Sequence, residues 1–364
     1  MAIDTLTGSL WINFLYDVAE EIQLDRLRGI LAIEAPGREP SFQRRAPEYV
    51  RFQQPPVVQS VPPTVLAGVS LGTRIHYYEY GVISIAMELP LQCRWDELAG
   101  LAHRWNTSPE LERAAESLVN QQLLAAEPAL VDRYPKRLAE DYCSVHVLHQ
   151  DTESGGRLSA AEIVRQHGQV IAQIVRGERV PLSDEEVSEA LNSRLSYYPD
   201  DLLVVGWSGA VLYDSPEGAV PIQQLLEYAN SQLLNFRHYD ELLTNLLADV
   251  YKSLQHGKGF FRRWQLWREA ASLNAVRLDV EDLTERMDNS IKFLSDMYWA
   301  RVYRLAAAKV GVPDYRTLVD EKLTIAGDLY RSMMDQFHEG RGFVLELTVV
   351  IILIIDLIFL FREL

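Results

Sequence analysis

The sequence lacks the cysteines and the motifs that mark several classes of protein. Its 364 residues contain only two cysteines, Cys93 and Cys143, and their separation fits neither a zinc site nor a redox pair. They are most simply buried thiols of a reducing compartment. No phosphate-binding glycine loop, kinase motif or dinucleotide fingerprint occurs. No cofactor and no metal are therefore expected.

The chain also lacks a basic N-terminal region and an excess of positive charge. Its first 27 residues carry five acids, which excludes a signal peptide and a transit peptide: Asp4, Asp17, Glu20, Glu21 and Asp25. We therefore expect the large N-terminal part to stay in the cytoplasm. The formal net charge of −16 argues against a duplex nucleic acid as partner and against adsorption of the whole surface on anionic lipid.

One long hydrophobic run is present, at residues 343–361. Sixteen of its nineteen residues are strongly apolar, and the exceptions are Glu346, Thr348 and Asp356. As a helix it is roughly 28 Å long, close to the hydrocarbon thickness of a bilayer of about 30 Å. The run predicts a C-terminal transmembrane helix that anchors the chain in a single pass, with the lipid bilayer as a partner. The alternative is a buried core helix of a soluble protein.

The two acids inside this run are candidate contact residues. Glu346 and Asp356 are ten residues apart, so both can face one broad side of a helix. Acids inside a membrane are costly unless they meet a partner or water. We expect them to mark the helix–helix contact of a homo-oligomer, and the alternative is that each reaches the nearer membrane interface.

The N-terminal quarter of the chain predicts a helix followed by a connector. Residues 1–35 contain apolar residues at spacings of three or four, which predicts an amphipathic helix over 9–31. It covers part of the main body or binds a partner or membrane surface. Residues 36–69 hold seven prolines, all between Pro36 and Pro63, which exclude a regular helix and a central strand. We expect an extended, proline-rich connector here.

Residues 70–215 alternate between strand and helix patterns and predict a body of the α/β or α+β class. The strand patterns are rich in β-branched and aromatic residues, and Gly81 indicates a turn between two of them. Ser183 or Asp184 is a candidate helix N-cap. The predicted strands lie in 74–90, 144–150 and 202–214; the predicted helices lie in 94–126, 159–177 and after Pro181.

Residues 216–340 predict a helical stalk. Three amphipathic patterns follow one another, at 221–255, 260–310 and 314–338, and glycines separate them. They predict an antiparallel long-helix bundle or coiled coil. The predicted fold is thus an α+β or α/β N-terminal body, a helical stalk and one C-terminal transmembrane helix.

The chain offers weak candidates for chemistry. His146 and His149 are three residues apart on a predicted strand, so they face opposite sides and cannot share a metal. Ser208 in GWSGA lacks the pattern of a nucleophile elbow and indicates a hairpin turn. No catalytic residue is predicted, and the chain is expected not to be an enzyme.

A basic and aromatic stretch at 257–270 is a candidate contact surface. Its cations alternate with aromatic rings, which could stack on RNA bases or lie at a lipid headgroup interface. The simpler alternative is the start of a stalk helix whose rings pack on the body, and a protein contact is also open. The residues are Lys258, Phe260, Phe261, Arg262, Arg263, Trp264, Trp267 and Arg268.

The order of elements over residues 70–364 resembles a known family. YYEYGVISIAMEL at 77–89 comes first, followed by LLEYANSQLLNFRHYDELL at 225–243, KFLSDMYWARVYRLAA at 292–307 and ELT at 346–348 before the apolar run. This arrangement is similar to the "required for meiotic nuclear division" family. The resemblance implies a C-terminally anchored membrane protein that forms large homo-oligomers and carries no catalytic residues. Mitochondrial members support synthesis by organelle ribosomes; without a presequence, a bacterial member of the inner membrane is expected here.

The residues and the resemblance together predict a membrane-anchored, non-enzymatic oligomeric scaffold or adaptor with its bulk in the cytoplasm. Its expected partners are a second copy and an unknown protein. The first alternative is a channel or ion-transport assembly, because the layout resembles CorA-type magnesium channels. Those have two spans and a Gly-Met-Asn signature, and this chain has neither. The second alternative is an enzyme with an unrecognised site in the α/β body.

Overall fold

A computed structural model describes residues 5–33, 55–148, 157–255, 271–282 and 297–331, together with the single positions 284, 350 and 352. The chain divides into two compact units. The first comprises Met1–His238 with Glu285–Tyr315, and the second comprises Tyr239–Thr284 with Arg316–Leu364.

An eight-stranded mixed sheet is the centre of the first unit. The strand order is β2-β3-β4-β1-β5-β8-β7-β6, and only the β5–β8 pairing is parallel among those that the structure describes. The strands are β1 (Thr5–Ile22), β2 (Val57–Leu66), β3 (Val69–Tyr77), β4 (Val82–Arg94), β5 (Leu130–Val147), β6 (Arg194–Leu195), β7 (Leu202–Val205) and β8 (Gly209–Tyr213).

Strand β1 corrects the prediction of an N-terminal amphipathic helix. Residues Thr5–Ile22 are extended and lie in the middle of the sheet, paired with β4 on one side and β5 on the other. Both faces of β1 are covered, so almost every residue from Leu6 to Ala19 is apolar or buried. A strand covered on both faces loses the alternation that identifies half-buried strands, and its run of apolar residues can imitate a helical spacing. Only Leu24–Leu31 of the predicted range is helical, as α1.

Strand β2 lies at one edge of the sheet, as its prolines require. It pairs only with β3, and the register shifts between Val61 and Thr64, where Pro62 and Pro63 interrupt the ladder. Proline cannot donate a backbone hydrogen bond, so edge strands and bulges are the places in a sheet that tolerate it. The described end of the predicted connector is therefore an edge strand.

The helices that precede α6 cover one face of the sheet. Alternate residues of the strands point to this face, among them Leu10 and Ile12 of β1 and Ile85 and Met87 of β4, and they pack in one core with the helices. The helices are α1 (Leu24–Leu31), α2 (Trp95–Asn106), α3 (Pro109–Ala126), α4 (Ala160–Arg176) and α5 (Asp184–Asn192), with a short 3₁₀ turn at Glu127–Ala129.

Two further helices, α6 and α8, cover the opposite face. Helix α6 (Pro216–Gln255) is 40 residues long, and its first half reaches strands β1, β3 and β5 through side chains such as Glu227 and His238. Helix α8 (Met297–Val310) contacts β7 and also meets α6, because Tyr303 donates a hydrogen bond to Gln232. The sequence pattern predicted both segments in a stalk, and the structure corrects this placement for α8 and for the first half of α6.

The second unit is helical where the structure describes it. Residues 271–282 (α7) and 312–331 (α9) are helices, and α6 enters this unit after His238. Leu247, Val250, Leu273 and Ala326 form a small core between the second half of α6, α7 and α9. Lys322 donates hydrogen bonds to Asp240 Oδ1 at 2.5 Å and to Thr244 Oγ1 at 2.6 Å. The second half of α6 is therefore fixed to α9 by both apolar and polar contacts.

The prediction of a C-terminal transmembrane helix is corrected as well. Across the described ranges, no helix combines the length and the apolar character that a bilayer crossing requires. The longest described helix, α6, has the length but carries charged residues such as Glu227, Arg237 and Asp249 along it. Of residues 343–361, only Val350 and Ile352 are described, and each is about half exposed. The described part of the chain therefore does not support the single-pass anchor or the membrane location inferred from it.

Candidate functional site

Most candidates from the sequence fall where the structure gives no description. Glu346 and Asp356 lie outside the described residues, as do His149 and the basic and aromatic stretch 257–270. Ser208 lies in the β7–β8 turn, as predicted, where Gly206 N–H donates to Gly209 O. His146 is buried on β5, and its Nε2 lies 3.1 Å from the Asp214 carbonyl oxygen. No candidate from the sequence forms a catalytic centre among the described residues.

The structure places two other groups of residues together. The first lies between α6 and the sheet and consists of two carboxylate–imidazole pairs, Glu227 with His76 and Asp17 with His238; we call it the polar seam. The second lies on the outside of α8 and is described below. Glu227 and His238 are eleven residues apart on α6, which is about three helical turns or roughly 16 Å, so both face the sheet.

Glu227 is the more strongly bonded carboxylate of the seam. It is 4% exposed, and its Oε1 lies 2.6 Å from His76 Nδ1 on β3. Burial alone raises the pKa of this carboxyl, but the charge and the hydrogen bond of the His76 imidazole outweigh burial. The pKa of Glu227 therefore lies below its ordinary value, and the carboxylate is ionised in the folded protein at neutral pH.

For Asp17, in contrast to Glu227, the fold raises the pKa. It is 1% exposed on β1, and its Oδ2 lies 2.8 Å from His238 Nδ1. Burial raises the pKa of Asp17, and the hydrogen bond and charge of His238 compensate only part of that effect. The His238 ring stacks on Tyr134 of β5 with centroids 4.1 Å apart, and the neighbouring Arg237 pairs with Glu140 of the same strand. The end of α6 in the first unit is thus held by β1 and β5.

Tyrosines and amides fill the space between the two pairs. Tyr80 Oη lies 2.6 Å from Ser231 Oγ, and Asn235 Nδ2 donates to the Tyr80 carbonyl oxygen at 2.9 Å. The rings of Tyr78, Tyr80 and Tyr228 lie within 6.5 Å of one another. Burial raises the pKa of Tyr78 and Tyr80 well above the ordinary value, so both hydroxyls stay neutral hydrogen-bonding groups.

The polar seam is built to fasten α6 to the sheet. Each carboxylate is paired with an imidazole of the facing element, and α6 covers the pairs from solvent. General acid–base chemistry needs a titratable group within hydrogen-bond reach of a substrate. The two carboxylates are 4% and 1% exposed, so they offer a substrate little access. Within the described part of the chain, no group of three or more His, Cys, Asp or Glu side chains could hold a metal ion.

The second group forms an exposed surface around α8. Tyr197, Tyr198 and Trp207 expose 57%, 51% and 56% of their surface, which is unusual for large aromatic side chains. Met297 at the start of α8 is 79% exposed. Together with Arg301 and Arg304 of α8, these residues form what we call the α8 surface: Tyr197, Tyr198, Trp207, Met297, Arg301 and Arg304.

The α8 surface is held in a defined shape from both ends of the helix. At the start of α8, the ring of Tyr298 meets that of Tyr197 edge-on with centroids 5.0 Å apart. The buried Asp201 carboxylate accepts hydrogen bonds from the backbone N–H groups of Tyr197 and Tyr198 at 2.7 and 2.8 Å, which fixes their loop. At the other end, the Trp207 ring lies against Gly311, where a Cβ atom would approach it to 3.1 Å.

Sequence reasoning missed both groups, although a signal for the seam was present. Within the apolar stripe of α6, polar residues recur every three or four positions, at Glu227, Ser231, Asn235 and His238, and Asn230 lies beside this line. Such a line on a helix that is otherwise apolar indicates a buried polar contact. The α8 surface had no comparable signal, because Tyr197 and Trp207 join α8 only in the folded chain.

Comparison with known proteins gives a family but no described activity. Residues 7–219, from β1 to the start of α6, match a family model described as "Uncharacterized protein MJ0711, N-terminal domain". A curated relative, "Uncharacterized protein MJ0711" from Methanocaldococcus jannaschii, is 22% identical over 196 residues. The alignment covers 54% of this chain and 60% of that protein, so the chain spans less than two thirds of the relative's length. No solved structure matches the chain.

Proposed function

The chain belongs to the family of the MJ0711 N-terminal domain, and we propose that it is a non-enzymatic, homo-oligomeric scaffold or adaptor protein. The proposal rests on the contacts that helix α6 makes in both units. This one helix is fastened to the sheet by the polar seam and continues into the second unit, where Lys322 fixes it to α9.

Buried ion pairs support a role in specifying structure more than a role in stability. Removing two charges from water costs several kcal/mol per ion, and well-packed apolar residues often serve stability equally well. Charge pairs between α6 and the sheet do, however, define which turn of the helix meets which strand. A protein whose task is to hold partners in place gains from such a defined register, which we state here as a hypothesis for this chain.

The exposed aromatic residues support a binding role. Tyr, Trp, Met and Arg are the residue types enriched in the centres of protein interfaces, and Tyr, Trp and Arg dominate their hot spots. The α8 surface combines all four types in one place. Resemblance to the "required for meiotic nuclear division" family, which remains a prediction, also implies homo-oligomers without catalytic residues.

The proposal is tested by the mass of the full chain in solution. Light scattering coupled to size-exclusion chromatography should give a discrete multiple of the monomer mass over a tenfold range of concentration. A monomer at every concentration would contradict the proposed scaffold. An activity assay of the wild type and the His76→Gln variant supplies a second test. Turnover by the wild type that is lost in the variant would contradict the non-enzymatic role and assign catalysis to the polar seam.

A further inference from the structure

We infer that the α8 surface is the site at which two copies of this chain associate. The inference rests on the proposed scaffold function and names its partner surface. It starts from α8 itself, whose exposed stripe carries Met297, Arg301 and Arg304 at spacings of four and three residues. The opposite face of α8 is buried, with Val302 and Ala306 fully covered, so the stripe is the side that faces outward.

Rings flank this stripe at both ends. Tyr197 and Tyr198 lie beside its start, and Trp207 lies beside its end against Gly311. A helix of 14 residues is about 21 Å long, so the rings and the cations share one face of that length. In the single chain, Asp201 holds the backbone of Tyr197 and Tyr198, and the Tyr298 ring packs on that of Tyr197. Preordered side chains lose little entropy on binding, which favours association.

The surface is complementary to a second copy of itself. Arginine is attracted to the face of an aromatic ring, and the attraction is stronger once water is excluded. In a two-fold arrangement, the arginines of one copy meet the rings of the other, and the reverse contact forms at the same time. A surface that carries both rings and arginines can therefore satisfy both halves of a symmetric interface.

The charge of the chain also favours this face for self-association. A net charge of −16 makes two copies repel over most of their surfaces. Near the start of α8, Asp201 is buried against backbone amides and Asp200 pairs with Arg157 at 3.4 Å, whereas Asp314 is exposed near the end of the helix. Arg194, Arg301 and Arg304 are exposed around the α8 surface. These arginines reduce, at this face, the repulsion between acids that acts between two copies elsewhere.

The experiment compares the self-association of full-length variants by sedimentation equilibrium. Trp207→Ser should raise the dissociation constant at least about 30-fold, as expected for a hot-spot residue. Arg301→Glu should raise it about tenfold or more, because a cation that faces a ring is replaced by an acid. There are two matched controls, Leu124→Ser on α3 and Val65→Ser on the edge strand β2. The side chains that they remove are 71% and 67% exposed, and neither variant should change the dissociation constant.

Each outcome decides between the two proposals. An oligomeric wild type whose mass persists in both Trp207→Ser and Arg301→Glu overturns the inference and leaves the scaffold standing. Loss of assembly in Val65→Ser alone overturns it in favour of pairing between sheet edges. If Trp207→Ser unfolds, as circular dichroism would show, Arg301→Glu on the exposed stripe decides alone. A monomeric wild type overturns both the inference and the proposed function.

Discussion

Single residues of the polar seam differ in the direction in which the fold shifts their pKa. The His76 imidazole lowers the pKa of Glu227 against the effect of burial, whereas burial raises the pKa of Asp17 in spite of its His238 partner. The folded state therefore prefers the ionised form of Glu227 and disfavours the ionised form of Asp17. Replacing the two carboxyls should change stability with opposite dependence on pH.

The Glu227→Gln variant should be less stable than the wild type by about 3 kcal/mol at neutral pH, the low end of the range for breaking a buried ion pair. A lowered folded-state pKa contributes stability above the unfolded-state value of 4.5, which is lost as the pH falls through the folded-state value. The difference between wild type and variant should thus shrink below about pH 4.5. Urea unfolding from pH 3.5 to 7 measures it.

The Asp17→Asn variant should show the opposite trend. A raised folded-state pKa contributes stability that is complete below the unfolded-state value of 3.8 and is lost as the pH rises through the folded-state value. The cost of the substitution, about 1–3 kcal/mol for a disrupted buried hydrogen bond, should therefore decrease from pH 4 to neutral pH. The same urea series measures it.

The exposed Glu189 of α5 offers a control for both variants. Glu189→Gln removes a carboxylate of the same type from the surface and should leave the unfolding free energy within about 0.5 kcal/mol of the wild type at each pH. Parallel pH profiles for Glu227→Gln and Asp17→Asn would show that the two pairs are not held as described.

Local signals in the sequence identified several residues correctly. Ser183 was predicted as an N-cap, and its Oγ accepts a hydrogen bond from Glu186 N–H at 3.3 Å. Gly81 was predicted at a turn, and its φ is +82°. These features depend on a few neighbouring residues. The seam pairs join residues 151 and 221 positions apart, Glu227 with His76 and His238 with Asp17, and a single sequence does not reveal such pairings.

At the scale of elements, most of the predicted strands and helices between 74 and 214 are found close to their expected places. The exception is β5 (Leu130–Val147), which begins 14 residues before the strand predicted at 144–150. The helix predicted over 9–31 was wrong, because both faces of β1 are buried. Helix α6 was predicted correctly as a helix, but the prediction that its first half belongs to a stalk was wrong. Periodicity shows which face of an element is apolar and does not show what covers it. The sheet covers that face of α6, and this contact joins parts of the chain that are distant in sequence.

The β3–β4 turn supplies a test at this scale. Gly81→Ala should destabilise the protein by more than about 2 kcal/mol, because a residue with a side chain at positive φ costs about 1–2 kcal/mol. In addition, its Cβ would lie 1.7 Å from the Ala19 carbonyl oxygen, so β1 must shift. The free energy of unfolding in urea measures the effect.

Gly29→Ala is the matched control for this turn. Gly29 lies within α1, and no atom lies within 4 Å of an added Cβ. Since alanine favours the helix over glycine by up to about 1 kcal/mol, this variant should be as stable as the wild type or more so. A Gly81→Ala variant as stable as Gly29→Ala would contradict the close approach of the turn to β1.

At the scale of the whole molecule, the sequence predicted a sheet-containing body and long helices but misplaced their boundary. Composition and periodicity assigned everything after Pro216 to a stalk and an anchor, whereas α8 and half of α6 complete the layer on the second face of the sheet. The apolar run at 343–361 dominated the prediction because hydropathy is the strongest signal in a single sequence. The α8 surface assembles from three separate segments of the chain, so it could be recognised only in the folded structure.

The most direct test of the account places a photo-crosslinking amino acid at position 198 of the full chain, with a second version carrying it at position 124. Both wild-type side chains are exposed, but only Tyr198 belongs to the α8 surface. Illumination should produce a covalent dimer from position 198, with the crosslinked peptide coming from the α8 surface of the second copy, and none from position 124. A crosslink to any other surface, or no dimer from position 198, would contradict assembly through this face.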